Sequence, residues 1–239
     1  VFVGIVNLST GGVTWGSTTA LPQSRVGARA VVSNGFLHVT GGTTSSGAPI
    51  REVVSSPVGS NGLLGVFVTS TTGNSAGLLL PVAYHELFAF GGNLYVVGGD
   101  TGTAHTDPFS ASAANVTAVV QQAPLRNGVV GTWTSSGGGL IKARSKFVIF
   151  QAFGQLLAYE GLYGATNFEG ERSTILPDGS VASFNGQNGS TVPNVNVFNT
   201  AGVVSPILDS SNNPRFLILG GDQVVAPSSP VATVARGGP

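Results

Sequence analysis

The chain contains no cysteine and no methionine, and only 8% of its 239 residues are charged. Without cysteine it has neither a disulfide framework nor a thiolate metal site. An ordinary globular chain is about 25% charged, so ion-rich surfaces are scarce here. Ten Lys and Arg balance ten Asp and Glu, and no basic stripe runs along the sequence. Nucleic acid is therefore not an expected partner, because phosphate neutralisation dominates that affinity. No apolar run reaches the roughly 18 residues that a membrane-spanning helix needs. The opening stretch Val1 to Leu8 is too short for a signal-peptide core with its flanks. Position 1 is not methionine, and the expectation is a chain that starts after processing or is internal to a longer one.

Glycine is abundant, at 36 residues, and apolar residues make up 41%. Val, Leu, Ile and Phe cluster in short runs between the glycines. A disordered chain lacks such clusters. The pattern predicts many short strands joined by tight turns.

Two sub-patterns alternate along the chain. The first is a turn, an apolar strand and a glycine pair. It reads Asn34-Gly35-Phe36-Leu37-His38-Val39-Thr40-Gly41-Gly42 and returns as Gly92-Asn93-Leu94-Tyr95-Val96-Val97-Gly98-Gly99. It recurs as Gly154 to Glu160-Gly161 and as Asn213 to Gly220-Gly221. The closing glycines recur about 60 residues apart, and self-similarity at a near-fixed period is the mark of a repeat architecture. The second is a Gly-containing turn followed by an aromatic: Asn61-Gly62 to Phe67, Asn127-Gly128 to Trp133, and Asp178-Gly179 to Phe184. Thr10-Gly11-Gly12 to Trp15 is a shorter copy. Asn-Gly and Asp-Gly supply the positive φ of two-residue hairpins. A nearly continuous apolar strand is one buried on both faces, and a small sheet buries both faces only when neighbours stack on it.

Gly41-Gly42, Gly98-Gly99 and Gly220-Gly221, with Trp15, Phe67, Trp133 and Phe184, resemble the kelch repeat of β-propellers. The resemblance covers nearly the whole chain and departs from the pattern at Glu160-Gly161. It implies an all-β fold of four-stranded antiparallel blades, about four of them, with a binding surface on the blade loops. The expected single domain or fragment spans residues 1–239. It divides into a half blade at 1–22, blades near 23–72, 83–137 and 143–190, and a partial blade at 203–239. The repeat is out of phase with the chain ends. Part of a larger propeller, completion by further copies, and a smaller ring closed by terminal strands all remain open. A copper oxidase of propeller type needs a cysteine ligand and is disfavoured.

Few chemical constellations stand out. Asp100, His105 and Asp107 follow Gly98-Gly99 in one loop, and their oxygen and imidazole ligands suit a divalent cation. No other cofactor is expected. His38 and the His85-Glu86 pair read as structural. Glu169, Glu171 and Arg172 read as an exposed ion pair and its neighbour, and Lys142, Arg144 and Lys146 as a solvated row on one strand face. No Gly-x-Ser-x-Gly elbow and no P-loop is present. Asn7, Asn115 and Asn188 begin glycosylation sequons, which arise by chance in such compositions.

The expected function is a non-enzymatic binding or structural assembly module at the cell surface or outside the cell. Its partner is another protein or further copies of itself. The alternative is a secreted carbohydrate-binding or carbohydrate-active domain with its site on the blade loops.

Overall fold

The computed structural model describes residues 1–70, 77–102, 115–152, 154–162, 169–191, 197–198, 201–205, 215–219, 222–223 and 234–237. Among these the chain is all-β, without an α-helix, and every strand pair is antiparallel. Strands β1 (Phe2–Val6) and β2 (Val13–Ser17) form a hairpin. Sheet 1 runs in chain order through β3 (Arg29–Ser33), β4 (Phe36–Thr40), β5 (Val53–Pro57) and β6 (Val68–Thr69). Sheet 2 comprises β7 (Glu86–Phe90), β8 (Asn93–Val97), β9 (Val119–Arg126), β10 (Val129–Val130) and β11 (Thr134–Gly139), the last two both pairing with β9. Sheet 3 contains β12 (Val148–Ala152), β13 (Gln155–Tyr159), β14 (Glu169–Thr174) and β15 (Asn185–Thr191). Farther along come β16 (Val197–Phe198), β17 (Ala201–Ser205), β18 (Arg215–Leu219), β19 (Asp222–Gln223) and β20 (Val234–Gly237); β16 pairs with β19, and β18 lies between β17 and β20.

The turns follow from their residues. Asn34-Gly35 and Asn127-Gly128 hold φ of 50° and 77°, and 50° and 78°, the two positive values of a tight hairpin. The first strands of successive sheets lie side by side: β3 against β7, β7 against β12, and β12 against β17. The apolar strand that ends in the glycine pair is the second of each sheet, one place in from this shared edge.

Packing between sheets uses the period-two alternation of β8. Leu94 and Val96 turn to one side and join Val53, Val82, Leu125 and Trp133 at the junction of sheets 1 and 2. Tyr95 and Val97 turn to the other side and join Phe147, Leu156, Val181 and Phe184 at the junction of sheets 2 and 3. All four β8 side chains are fully buried, and each such burial contributes about 1.5–3 kcal/mol. Trp133 and Phe184 therefore each fill the junction with the preceding sheet. Phe67 is buried with Leu21 and Leu64 on the outer face of sheet 1. Trp15 differs: it is 71% exposed on the hairpin, where no described residue packs over it.

The glycine pair makes a backbone contact. The Gly42 N–H donates to Val82 O at 2.9 Å, and the Gly99 N–H to Arg144 O at 2.8 Å, each carbonyl lying in the loop that opens the next sheet. Gly41 and Gly98 hold φ of 56° and 59°. A Cβ on Gly98 would sit 2.7 Å from Arg144 O, and one on Gly41 would meet Val82 O well inside contact distance. Glu160 takes the equivalent place in sheet 3 with the same backbone, at φ 63°. The sequence departure at Glu160-Gly161 thus changes the side chain and leaves the conformation intact. Replacing Gly41 by Ala is expected to destabilise the fold by about 1–3 kcal/mol, since it adds strain at positive φ to a backbone clash. Chemical denaturation of wild type and G41A checks this, and equal midpoints would refute it.

Candidate functional site

The loops entering β3, β7 and β12 share one conformation. Gly27, Tyr84 and Lys146 have φ of 68°, 54° and 55°. The Tyr84 N–H donates to Gly27 O at 2.7 Å, and the Lys146 N–H to Tyr84 O at 2.8 Å, so one backbone ladder links the three sheets. Left-handed backbone at Tyr and Lys costs about 1–2 kcal/mol each, and such strain persists only where the surroundings enforce it. The Lys146 ammonium lies 4.8 Å from the centre of the Tyr84 ring, and Lys146 is buried.

An unusual concentration of charge fills this loop end. Asp100, Arg144, Lys146, Glu160 and Glu171 are all buried. Arg144 pairs with Glu171 and donates to Glu160 O at 3.0 Å and Lys142 O at 3.4 Å. Glu171 also accepts the Ile141 and Lys142 N–H groups, at 2.7 and 3.1 Å. Sheet 1 repeats the device with Arg25, which pairs with Glu52 and donates to Gly41 O and Glu52 O. In sheet 2 the same loop position holds Val82, buried among apolar residues.

These positions correct two expectations. Arg144 and Lys146 are not a solvated row on a strand: they lie in the loop between β11 and β12, and both are buried. Glu171 is not part of an exposed pair with Arg172; it lies inside, bonded to Arg144. The side chain of Glu169 lies outside the described residues. Arg25, Glu52 and Arg29 carried no weight in the sequence reading. The signal for Arg25 was the recurrence of Arg two residues before the positive-φ position, in Arg25-Val26-Gly27 and Arg144-Ser145-Lys146, and no such pattern marks Glu52 or Arg29.

A second polar line crosses the shared first strands. Arg29 of β3 pairs with Glu86 of β7 at 2.8 Å and donates through Nε to His85 O at 2.8 Å. The Ile149 N–H of β12 donates to the Glu86 carboxyl, and burial pushes that carboxyl up to about 7 against the opposing pull of Arg29. Next to it, His85 Nε2 and Thr40 Oγ1 share a 2.7 Å hydrogen bond between sheets 1 and 2. His85 Nδ1 has no hydrogen-bond partner among the described residues, and burial, with Arg29 adding to it, pushes the ring down to about 3. His38 is buried and bonded to Ser55 at 2.8 Å. Both histidines are held in the interior.

Of the cation candidates, Asp100 is buried and accepts the Gly102 N–H at 2.7 Å. His105 and Asp107 lie outside the described residues, as do Gly220 and Gly221. Among the described residues no group of three or more His, Asp or Glu side chains is placed to hold a metal. Asn7 Oδ1 accepts the Ser9 and Thr10 N–H groups and closes its own turn.

Two of the grooves among the described residues bear on function. A groove of about 340 Å³ between sheets 2 and 3 is lined by Phe90, Asn93, Tyr95, Leu176, Asp178 and Gly179. The Tyr95 hydroxyl donates to Gly179 O at 2.7 Å and fixes its wall. A cleft of about 380 Å³ is lined by Arg25 and the Thr43–Gly47 loop. Compared with known protein families and with curated proteins, the chain matches none.

Two outcomes follow from the buried groups. Glu171→Gln leaves the Arg144 guanidinium short of its counter-charge in the interior, and a loss of about 3–5 kcal/mol is expected, read by denaturant unfolding. The pH dependence has two opposing parts. His85 is neutral when folded and protonates near 6.5 when unfolded, so its contribution to stability is lost as pH falls below about 6.5. Glu86 holds its proton up to about 7 when folded and loses it from about 4.5 when unfolded. Its contribution is therefore full at low pH and is lost as pH rises through 4.5 to 7. Thr40→Val with His85→Phe, which copies the Val97 and Phe147 pair, should reduce the acid loss, and His38, whose ring burial also pushes down, supplies the remainder. Glu86→Gln should remove the loss on the rising side. Melting curves from pH 4 to 8 measure both, and unchanged profiles would refute the assignments.

Proposed function

We propose that the chain is a kelch-like β-propeller, whole or part, that serves as a binding and assembly module and not as a catalyst. The observation that carries this reading is the fate of its scarce charge. Arg25, Arg29 and Arg144 are committed to Glu52, Glu86 and Glu171 within and between sheets, where acid and base groups of a catalyst would have to face a substrate. What the described sheets offer to solvent carries little charge: Arg51, Arg126, Arg172 and Asp178 are exposed, among hydroxyl-rich loops such as Thr43–Gly47 and the apolar β1–β2 hairpin. Antiparallel meanders with neighbouring first strands, four-stranded in sheets 1 and 3 and five-stranded in sheet 2 where β10 and β11 share β9, support the blade reading, the sheets at 29–69, 86–139 and 148–191 being the three blades. A low-charge surface rich in Ser, Thr and Gly fits a cell-surface or extracellular setting, with a protein or further copies as partner.

A second reading, sugar binding, is favoured by the groove between sheets 2 and 3. It places the partly exposed Phe90 ring beside the Asn93 amide and the Asp178 carboxylate, the mixture of apolar face and polar edge that a pyranose ring fits. A glycan array separates the two readings. The module reading expects no saturable sugar binding. Saturable binding that Phe90→Ala weakens by tenfold or more would replace it with the second.

A further inference from the structure

Among the described residues, the hairpin of β1 and β2 is a two-stranded sheet in which β1 pairs with β2 and its other edge is open. Two strands alone are marginally stable in water. Edge strands are ordinarily shielded by charge, proline or a bulge. This one has none of these: β1 and β2 carry no charged residue, β1 contains no proline, and its register with β2 is unbroken. One face carries Phe2, Val6, Val13 and Trp15, all exposed, with Phe2 at 78%. The β2 edge is less open to a partner, since the chain leaving it is tied to Leu64 through the Thr18 and Thr19 hydroxyls at 2.7 Å each.

The hydrogen bonds define what the free edge offers. The Asn7 N–H donates to Gly12 O, and the Thr18 N–H to Val1 O. By the alternation of an antiparallel ladder, Val3 and Ile5 also spend their backbone groups on β2, and Phe2, Gly4 and Val6 turn theirs outward. This edge is complementary to itself. A second β1 laid antiparallel about Gly4 sets Gly4 opposite Gly4, and Phe2 opposite Val6 in both directions. No like charges meet. The Trp15 ring lies over Gly4, with a Cβ there 3.1 Å from it, so the centre of the pairing is free of side chains between the strands.

We propose that β1 is a self-pairing edge: two copies of the chain join β1 to β1 antiparallel, centred on Gly4, into one four-stranded sheet with a continuous apolar face of Phe2, Val6, Val13 and Trp15 from each copy. The pairing rests on the assembly reading and not on the number of blades. The two-fold arrangement closes on itself and gives a dimer.

Analytical ultracentrifugation over a concentration series tests it on the full chain. The expected result is a reversible monomer–dimer equilibrium. Val6→Pro removes an outward N–H and no hairpin bond, and should weaken the dimer at least tenfold with the melting curve of the monomer unchanged. Because the chain has no cysteine, Val3→Cys and Ile5→Cys report the register directly. Val3 and Ile5 face each other as a non-hydrogen-bonded pair across the proposed junction, the closer of the two pair types. An oxidised mixture of the two variants should form disulfide dimers, and either variant alone should not. Association that survives Val6→Pro, without the mixed disulfide, overturns the β1 pairing and leaves assembly standing. A chain monomeric at every concentration overturns the pairing and the self-assembly reading together.

Discussion

Successive sheets are held to one another by main chain as well as by side chains. The Gly42 N–H reaches Val82 O and the Gly99 N–H reaches Arg144 O. Both are buried donors that would cost about 1–3 kcal/mol each if left unpaired. The approach is possible because residues 41 and 98 present no Cβ to the neighbouring carbonyl. Once those loops are seated, the first strands are set side by side, and β8 has an apolar neighbour on each face. The left-handed conformations of Tyr84 and Lys146 belong to the same arrangement, since their backbone groups carry the ladder from Gly27 onward.

The buried charges are best understood as positioning devices for this joint. Exchanging a buried ion pair for apolar residues is often neutral or stabilising, whereas removing one partner is costly. Sheet 2 illustrates the first half of that statement within the molecule, because Val82 fills the place held by Arg25 and Arg144. The arginines instead tie loop carbonyls to a carboxylate: Gly41 O and Glu52 O in sheet 1, Glu160 O and Lys142 O in sheet 3. They fix the path of the loop that the next sheet must meet.

Much of this was legible in the sequence for local reasons. Asn34-Gly35 and Asn127-Gly128 announce their turns because few other dipeptides accept two positive φ values. The run Leu94 to Val97 announces a doubly covered strand because no polar residue interrupts it. Phe67, Trp133 and Phe184 are buried. The interior charges were illegible for a physical reason. Lys142, Arg144 and Lys146 alternate in sequence as a solvated strand face does, but they lie in a bent loop between β11 and β12, with positive φ at the non-glycine Lys146. Glu171 gave no sign of its partner because Arg144 is 27 positions away in sequence and is brought near by the pairing of β13 with β14. Trp15 shares the motif of the buried aromatics but not their surroundings, since burial is a property of the neighbouring sheet and not of the motif.

The pair Thr40 and His85 joins sheets 1 and 2 through a hydrogen bond, and at the corresponding place between sheets 2 and 3 stand Val97 and Phe147, both apolar. The two junctions are therefore cut to different keys. Were the order of the units exchanged, a threonine hydroxyl would face a benzyl ring and an imidazole would face a valine, each leaving a polar atom buried without a mate. Repeats that look alike in sequence are in this way made non-interchangeable. The chain carries, in two side-chain pairs, a record of which unit follows which, and a sheet docked out of turn would bury polar atoms without partners.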